Sequence, residues 1–356
     1  MRIFISIASY RDPLLKYTIT EAYNNAKYPD SLIFSIVEQE DECNALDVEN
    51  LKFKNQIRYV RIEPEQSRGC CWARNIAQTM YEGEEFFMQI DSHMAFDQDW
   101  DVWMVSNLKH LMQYHDKPII TLYPRTLKAK DDDIINNPLE KSDTPDSHIS
   151  ALVVNRDIAF TDQKCLIRCQ GVSLNRTQEY SHGFLIAAGF LFTLGQAVDD
   201  VPYDPHMFYS SEEPSMALRY WTHGYSIFHT SNAPIYHYYG NKYRKTFSDK
   251  EDEGKRTSHW NTHDSRSTNR FEQLVRGVDI GVYGTGRART LQQYVNWSGI
   301  DYSRQHVRHA PNGAEYPFTL DYKQPIFQRK PIDTVQGLTL SGGGSTGINL
   351  SGGMIL

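Results

Sequence analysis

The run Phe86-Phe87-Met88-Gln89-Ile90-Asp91-Ser92-His93 closes a hydrophobic stretch with an Asp-x-His step. Residues two apart in an extended segment face the same side, so Asp91 and His93 would present a carboxylate and an imidazole together. That pair suits a divalent cation of intermediate hardness such as Mn²⁺, with diphosphate oxygens completing its shell. The structural alternative makes Asp91 a turn cap and His93 an ordinary surface histidine. The segment Ser9-Tyr10-Arg11-Asp12 lies directly after the first apolar run. Backbone N–H groups there can meet a base or a phosphate, and Arg11 offers a fork to a phosphate or an adjacent carboxylate. Asp12 followed by Pro13 also reads as a helix start. In Ser67-Arg68-Gly69-Cys70-Cys71-Trp72-Ala73-Arg74-Asn75, Gly69 permits close approach and Arg74 could face a ligand, although an arginine on a helix is commonly a solvated charge.

Three further segments carry weaker signals. Glu212 and Glu213 open a helical pattern, where they either complement its dipole or bond hydroxyls and steady positive charge at an anomeric carbon. His237 sits at the end of a strand-like run, as a ligand or as a satisfied structural histidine. Tyr283-Gly284-Thr285-Gly286-Arg287-Ala288-Arg289 looks glycine-rich but lacks the spacing and Lys-Ser/Thr pair of a nucleoside triphosphate loop.

Positioning these residues requires alternating elements. Strand signals cover residues 3–8, 31–39, 57–62, 85–90 and 118–123; helical periods cover 13–27, 73–81 and 99–114. This alternation implies an α/β fold with a mostly parallel sheet, whose ligands bind beyond the carboxyl ends of the strands. Residues 128–147 read as a surface insertion, 151–192 as strand-like runs, 212–222 as a helix and 233–239 as a strand. Residues 241–270 are polar and charged with little apolar periodicity, which reads equally as a mobile lid or a solvated connector. In the last twenty residues, which hold seven of the 22 glycines, Gly337-Leu338-Thr339-Leu340-Ser341-Gly342-Gly343 is echoed by Gly347-Ile348-Asn349-Leu350-Ser351-Gly352-Gly353. This tail is a flexible appendage or a self-association element.

Composition narrows the class. With 356 residues, 40% apolar and 23% charged, the chain can bury a sizeable core. Asp+Glu 44 against Lys+Arg 37 argues against a binder that relies on overall positive charge. The charged stretch 242–270 with Arg287 and Arg289 could still form a local basic channel. No run approaches the roughly 20 apolar residues of a membrane helix. Five cysteines are not a disulfide framework, so the expected compartment is cytoplasmic, with the sequons at Asn175 and Asn296 unused.

Taken in order, the stretches 5–12, 73–74, Gln89-Ile90-Asp91-Ser92-His93-Met94, Ala187-Ala188-Gly189-Phe190, Val201-Pro202-Tyr203-Asp204-Pro205, Glu212-Glu213, Trp221-Thr222-His223-Gly224-Tyr225 and Tyr283-Gly284 resemble the GT-A glycosyltransferases. Within them the sequence is most similar to the cytosolic-type polypeptide N-acetylglucosaminyltransferases that modify hydroxyproline, and the likeness extends over about residues 3–302. The Asp-Ser-His element also resembles that of polypeptide N-acetylgalactosaminyltransferases.

The resemblance implies a GT-A domain over 1–305, with a nucleotide-binding half to about 125, an acceptor-side half over about 151–240, a lid over 241–270 and an extension over 306–356. It implies a metal-dependent, retaining transferase moving a sugar, N-acetylglucosamine first among candidates, from a UDP-sugar to a hydroxyl acceptor on a polypeptide. The ion, Mn²⁺ or Mg²⁺, would be held by Asp91, His93 and His237. Donor contacts would come from Ala8, Ser9, Tyr10, Arg11, Gln39, Arg74, Asp91, Ser92, Lys242 and Arg244, with Glu212 and Glu213 catalytic. Ser210-Ser211 depart from the family's usual Asp-Gly turn before the acidic pair, on the acceptor side. Alternative acceptors are a modified DNA base, tested by steep salt dependence of DNA binding, or a cell-surface glycan. An alternative of another class is a sugar-binding or assembly protein without turnover.

Overall fold

The structure, a computed structural model, describes residues 1–129, 134, 139–142, 148–154, 160, 167, 169–175, 179–240, 245–247 and 250–307. Lys242 and Arg244, the acidic run 131–133 and the glycine-rich tail lie outside the described residues.

The N-terminal half alternates as the apolar periods require: β1 (Ile3–Tyr10), α1 (Leu15–Asn25), β2 (Leu32–Gln39), β3 (Ile57–Ile62), α2 (Cys70–Gln78), β4 (Phe86–Asp91), the short β5 (Met94–Phe96), α3 (Trp100–Leu111) and β6 (Pro118–Thr121). Strands β1, β2 and β4 are near-continuous aliphatic and aromatic runs because helices cover both faces of the sheet. After β6 come β7 (Arg125–Lys128), β8 (Glu140–Lys141), the antiparallel pair β9 (His148–Val154) and β10 (Cys169–Asn175), then β11 (Tyr180–Gly183), β12 (Phe190–Leu194), the short α4 (Ala197–Asp200), α5 (Glu212–Thr222), β13 (Ser226–Thr230) and β14 (Ile235–Tyr238). The last helices are α6 (Lys250–Glu253), α7 (Trp260–Val275) and α8 (Leu291–Ser298).

Among the described residues the main sheet has eight strands in the order β11-β13-β6-β12-β4-β1-β2-β3. Strands β1, β2, β3 and β4 are mutually parallel and β13 is parallel to β6, whereas β12 runs antiparallel between β4 and β6. A second sheet, β5-β14-β7-β8, crosses the carboxyl edge of the first. This is the expected α/β architecture: a mostly parallel centre with a small antiparallel extension.

Local chemistry fixes several joints. Asp101, fully buried in α3, accepts the Lys27 and Tyr28 N–H groups at 2.8 and 2.9 Å, tying the end of α1 to α3. Thr290 and Gln293 form a reciprocal capping box on α8, and Gly299 (φ 73°) ends that helix in the left-handed region. The Gly284–Gly286 segment packs against the end of α5: a Cβ on Gly286 would lie 2.5 Å from His223 backbone. Beside it Arg289 is 3% exposed and donates to the Trp221, Tyr225 and Gly224 carbonyls. Arg289 therefore binds the fold together and is not available to a basic channel.

The described part of the stretch 241–270 is more ordered than its composition implies. Residues 260–270 begin the sixteen-residue α7. Its inward positions include Ser267 and Thr268, and Ser267 Oγ accepts the Phe208 N–H at 2.7 Å. Small polar residues on that face hide it from a hydrophobic-period reading. Asp252 and Arg256 are also buried, at 0% and 6% exposure, so this part is not a solvated connector.

Candidate active site

Register brings the Asp-x-His step and His237 together. Strand β4 ends at Asp91, opposite Ala8 of β1, and β5 starts at Met94. His237 of β14 pairs with Met94, and the Tyr238 N–H donates to the His93 carbonyl at 3.0 Å. The two imidazoles thus meet across adjacent strands, with Nε2 atoms 2.9 Å apart. His237 Nε2 lies 3.2 Å, and His93 Nε2 3.8 Å, from Asp91 Oδ2. Ligands at adjacent corners of an octahedral shell with bonds of about 2.1 Å are about 3.0 Å apart, so this spacing suits a divalent ion. His93 and His237 are buried, at 6% and 8% exposure, and a Cβ on Gly189 would lie 2.8 Å from Asp91 Oδ2. The donor set, one carboxylate and two imidazoles, favours Mn²⁺ over the harder Mg²⁺.

Asp12 orients the set. Its Oδ1 accepts the Leu14 N–H at 3.0 Å in the turn before α1; the helix itself starts at Leu15 with Leu14 at its N-cap position, two residues later than the sequence reading placed it. Its Oδ2 accepts from the Ser92 hydroxyl at 2.8 Å and lies 2.7 Å from His93 Nδ1. A carboxylate at Nδ1 places the proton there and leaves the Nε2 lone pair directed at Asp91 and His237, the tautomer a metal ligand needs.

Arg74 of α2 is 3% exposed and far from a solvated charge. It donates to Asp91 Oδ1 at 2.6 Å and, through its other terminal nitrogen, to Glu212 Oε1. Burial works to raise the Asp91 carboxyl, but the His237 hydrogen bond and the Arg74 charge outweigh it and hold Asp91 well below the ordinary carboxylate range. The acidic pair divides in role. Glu212 is 5% exposed and takes bonds from Arg74, from the Tyr203 hydroxyl at 2.9 Å and from Cys70 Sγ at 3.2 Å. Glu213 accepts the Ala188 N–H at 2.9 Å and the Tyr123 hydroxyl at 3.2 Å. Burial, reinforced by the Glu212 charge, pushes Glu213 up to about 7.

Two cavities meet at this cluster. The larger, about 660 Å³, is lined by Arg74, Asp91, His237, Tyr123, Tyr209, Glu212 and Glu213 among others. The smaller, about 220 Å³, is lined by Ala8, Tyr10, Gln39, Gly69, Ser92, His93, Phe208 and Phe247 among others. Cys70 and Tyr209 line both. Gly69 has φ 96°, and a Cβ there would lie 2.6 Å from the Phe208 ring. Gln39 is spent on the wall, donating to the Ser9 carbonyl at 3.0 Å and accepting from Ser67. Ser9 is fully buried and lines neither cavity.

Arg11 takes the carboxylate alternative. Its guanidinium donates to Asp252 at 2.6 and 2.8 Å, to Asp41 at 2.5 and 3.2 Å and to Glu40 at 3.1 Å, from a backbone at φ 45°. Tyr10 Oη donates to the same Asp252 at 2.6 Å and accepts from Arg256, whose guanidinium lies 3.9 Å from the Phe247 ring centroid. Asp12, Asp252 and Tyr203 are thus site-supporting residues for which the sequence reading had no ligand or donor role. Asp12 was visible as a cap and Tyr203 as part of a shared stretch; Asp252 carried no signal.

A mostly parallel sheet with β12 inserted antiparallel and the edge strand β11 antiparallel to β13 has the architecture of the GT-A glycosyltransferase fold. The description Glycosyltransferase (GlcNAc) matches residues 36–304, and the chain belongs to that family. No curated protein matches the sequence. Among solved structures, GalNAc-T7 with UDP, GalNAc and Mn²⁺ is 13% identical with a TM-score of 0.51, over 68% of this chain and 44% of that one. TarS 1–349 of S. aureus in complex with UDP-GlcNAc is 10% identical with a TM-score of 0.43, over 79% of this chain and 77% of that one. The chain therefore spans less than half the length of the GalNAc-T7 chain. No helix among the described residues is long and apolar enough to cross a membrane.

Proposed function

We propose that this chain is a metal-dependent, retaining glycosyltransferase that moves N-acetylglucosamine from UDP to a hydroxyl on a polypeptide. The observation that carries the reading is the convergence of Asp91, His93 and His237 where the two cavities meet, with Asp12 fixing the His93 tautomer. The smaller cavity, walled by Ala8, Tyr10, Gln39, Phe208 and Phe247, suits a planar base. The larger holds room for the sugar and the incoming hydroxyl. The UDP, GalNAc and Mn²⁺ of the GalNAc-T7 structure agree in kind with such a donor.

A divalent ion on Asp91, His93 and His237 would neutralise charge on the leaving diphosphate. The C1–oxygen bond to diphosphate breaks with its electron pair leaving on UDP, the acceptor oxygen bonds C1 from the same face, and its proton passes to the departing phosphate. Ionised Glu213, facing the larger cavity, steadies positive charge developing at C1. Arg74 holds Asp91 and Glu212 in place through its two terminal nitrogens. The four described free cysteines, Cys43, Cys70, Cys71 and Cys169, support a reducing cytoplasm as the working compartment.

The test is a panel of UDP-sugars with purified protein, Mn²⁺ and candidate hydroxyl acceptors, including hydroxyproline peptides. UDP-GlcNAc should release UDP and add one sugar in the donor's anomeric configuration, and EDTA should stop it. Absence of UDP release with every donor and acceptor would leave a sugar-binding role instead.

A further inference from the structure

The first turn of α2 sets two adjacent thiols beside Glu212. The Cys70 and Cys71 Sγ atoms are 4.0 Å apart, and Cys70 Sγ is 3.2 Å from Glu212 Oε2. All three ligand atoms lie within 4.8 Å of one another. A tetrahedral ion with bonds of about 2.3 Å to sulfur and about 2.1 Å to oxygen separates its ligands by roughly 3.8 Å (S–S) and roughly 3.6 Å (S–O). The two measured edges are therefore within a few tenths of an ångström of a preformed site. Glu212 is held for the purpose: Oε1 is occupied by Arg74 and Tyr203, while Oε2 faces the sulfur. Access exists, because Cys70 lines both cavities and Glu212 the larger one.

Both sulfurs belong to the first two residues of the nine-residue α2, and the Arg74 guanidinium reaches the same carboxylate that faces Cys70. Burial pushes the Cys71 thiol up, so an ion must displace that proton when it binds.

We propose that Cys70, Cys71 and Glu212 form a second metal site, selective for a thiophilic divalent ion such as Zn²⁺ and separate in donor chemistry from the Asp91, His93 and His237 set. Loading releases two protons, one from each thiol, as both sulfurs donate a lone pair to the ion. Soft thiolates discriminate against Mn²⁺ and Mg²⁺, so excess Mn²⁺ occupies the Asp91, His93 and His237 set without entering this site. A bound ion would be reached past Cys70, which lines both cavities, with Cys71 fully buried behind it.

The experiment titrates reduced full-length protein with Co²⁺, as a visible stand-in for Zn²⁺, in the presence of excess Mn²⁺. One equivalent should develop sulfur-to-cobalt charge-transfer absorption, bleached by Zn²⁺. Cys70→Ser and Cys71→Ser should each remove the band, and His237→Ala should keep it. No band in the wild-type protein, or a band that survives Cys70→Ser, overturns the proposal. Should the serine variants fail to fold, alkylation of wild-type Cys70 read by peptide mass decides: Zn²⁺ should slow it at least about tenfold, and equal rates refute the site. Neither readout depends on sugar transfer, so failure here leaves the proposed function standing.

Discussion

The two cavities differ in how their polar groups are used. Around the smaller one, hydrogen bonds are closed within the protein: Gln39 is spent on Ser9 and Ser67, Tyr10 on Asp252 and Arg256, and nearby Arg11 on three carboxylates. At the larger one, Asp91 and His237 converge within ligand distance of His93 from the smaller, and Glu213 is anchored by the Ala188 N–H and the Tyr123 hydroxyl in a wall that faces open volume. The first region is built to hold shape and the second to act on charge. Variants that remove an acting group should abolish turnover with the fold retained, whereas variants in the shape-holding region should act on binding.

The largest expected effect is at the ligand set. Asp91→Ala or His93→Ala should reduce transfer by more than the roughly 100-fold upper range for loss of an orienting partner, with circular dichroism close to wild type. His237→Ala should weaken Mn²⁺ and UDP binding together, and calorimetry showing wild-type affinity for both would reassign it as a structural histidine.

Next comes Asp12→Ala, which leaves all three ligands but frees the His93 ring. Metal affinity should drop about 10–100-fold, with Ser92→Ala far milder because it removes only a second donor to the same oxygen. An Asp12 variant with unchanged Mn²⁺ affinity would show that helix capping is its whole role.

Glu213 gives a pH signature. Its folded value of about 7 lies above its ordinary 4.5, so folding favours the protonated form. Its stability contribution is full below about pH 4.5 and is lost as pH rises through about 7. Transfer, which uses the ionised form, should rise over that interval. Glu213→Gln should lower kcat about 10-fold at pH 8, the scale of one charged hydrogen bond, and remove the limb near pH 7. A variant with an unaltered profile would assign that limb to another group.

The smallest effect on turnover is expected at Asp252. Asp252→Ala takes one of three carboxylates from Arg11 and the acceptor from Tyr10. Donor KM should rise several-fold with kcat nearly unchanged, and unfolding should cost less by about 1–3 kcal/mol. A fall in kcat with constant KM would move this network into the chemistry.

Legibility in the sequence followed physical cause. Strands β1, β2 and β4 were readable because burial on both faces demands unbroken apolar runs, and the bounds of β3 and α5 were read as they stand. Strand β5 has three residues and β13 reads Ser-Ile-Phe-His-Thr, too short or too polar-ended to declare themselves. Asp91 and His93 could be proposed from the end of β4, whereas His237, inside β14, was singled out as a ligand only by the family resemblance. The division between Glu212 and Glu213 could not, because it depends on Arg74, Tyr203, Ala188 and Tyr123 arriving from four other segments. The Asp252 contact with Arg11 spans 241 positions and leaves no local trace.

The 144-residue separation of His93 and His237 also shapes how the chain reaches its native state. Asp12, Asp91 and His93 are all synthesised within the first 93 residues, yet the third candidate ligand, His237, arrives only with β14. Closing so distant a contact carries a loop-entropy cost that neighbouring contacts do not offset until both sheets exist. An ion held by all three side chains would therefore reward the completed topology over any partly assembled half, and its binding energy would add to the cooperativity of folding.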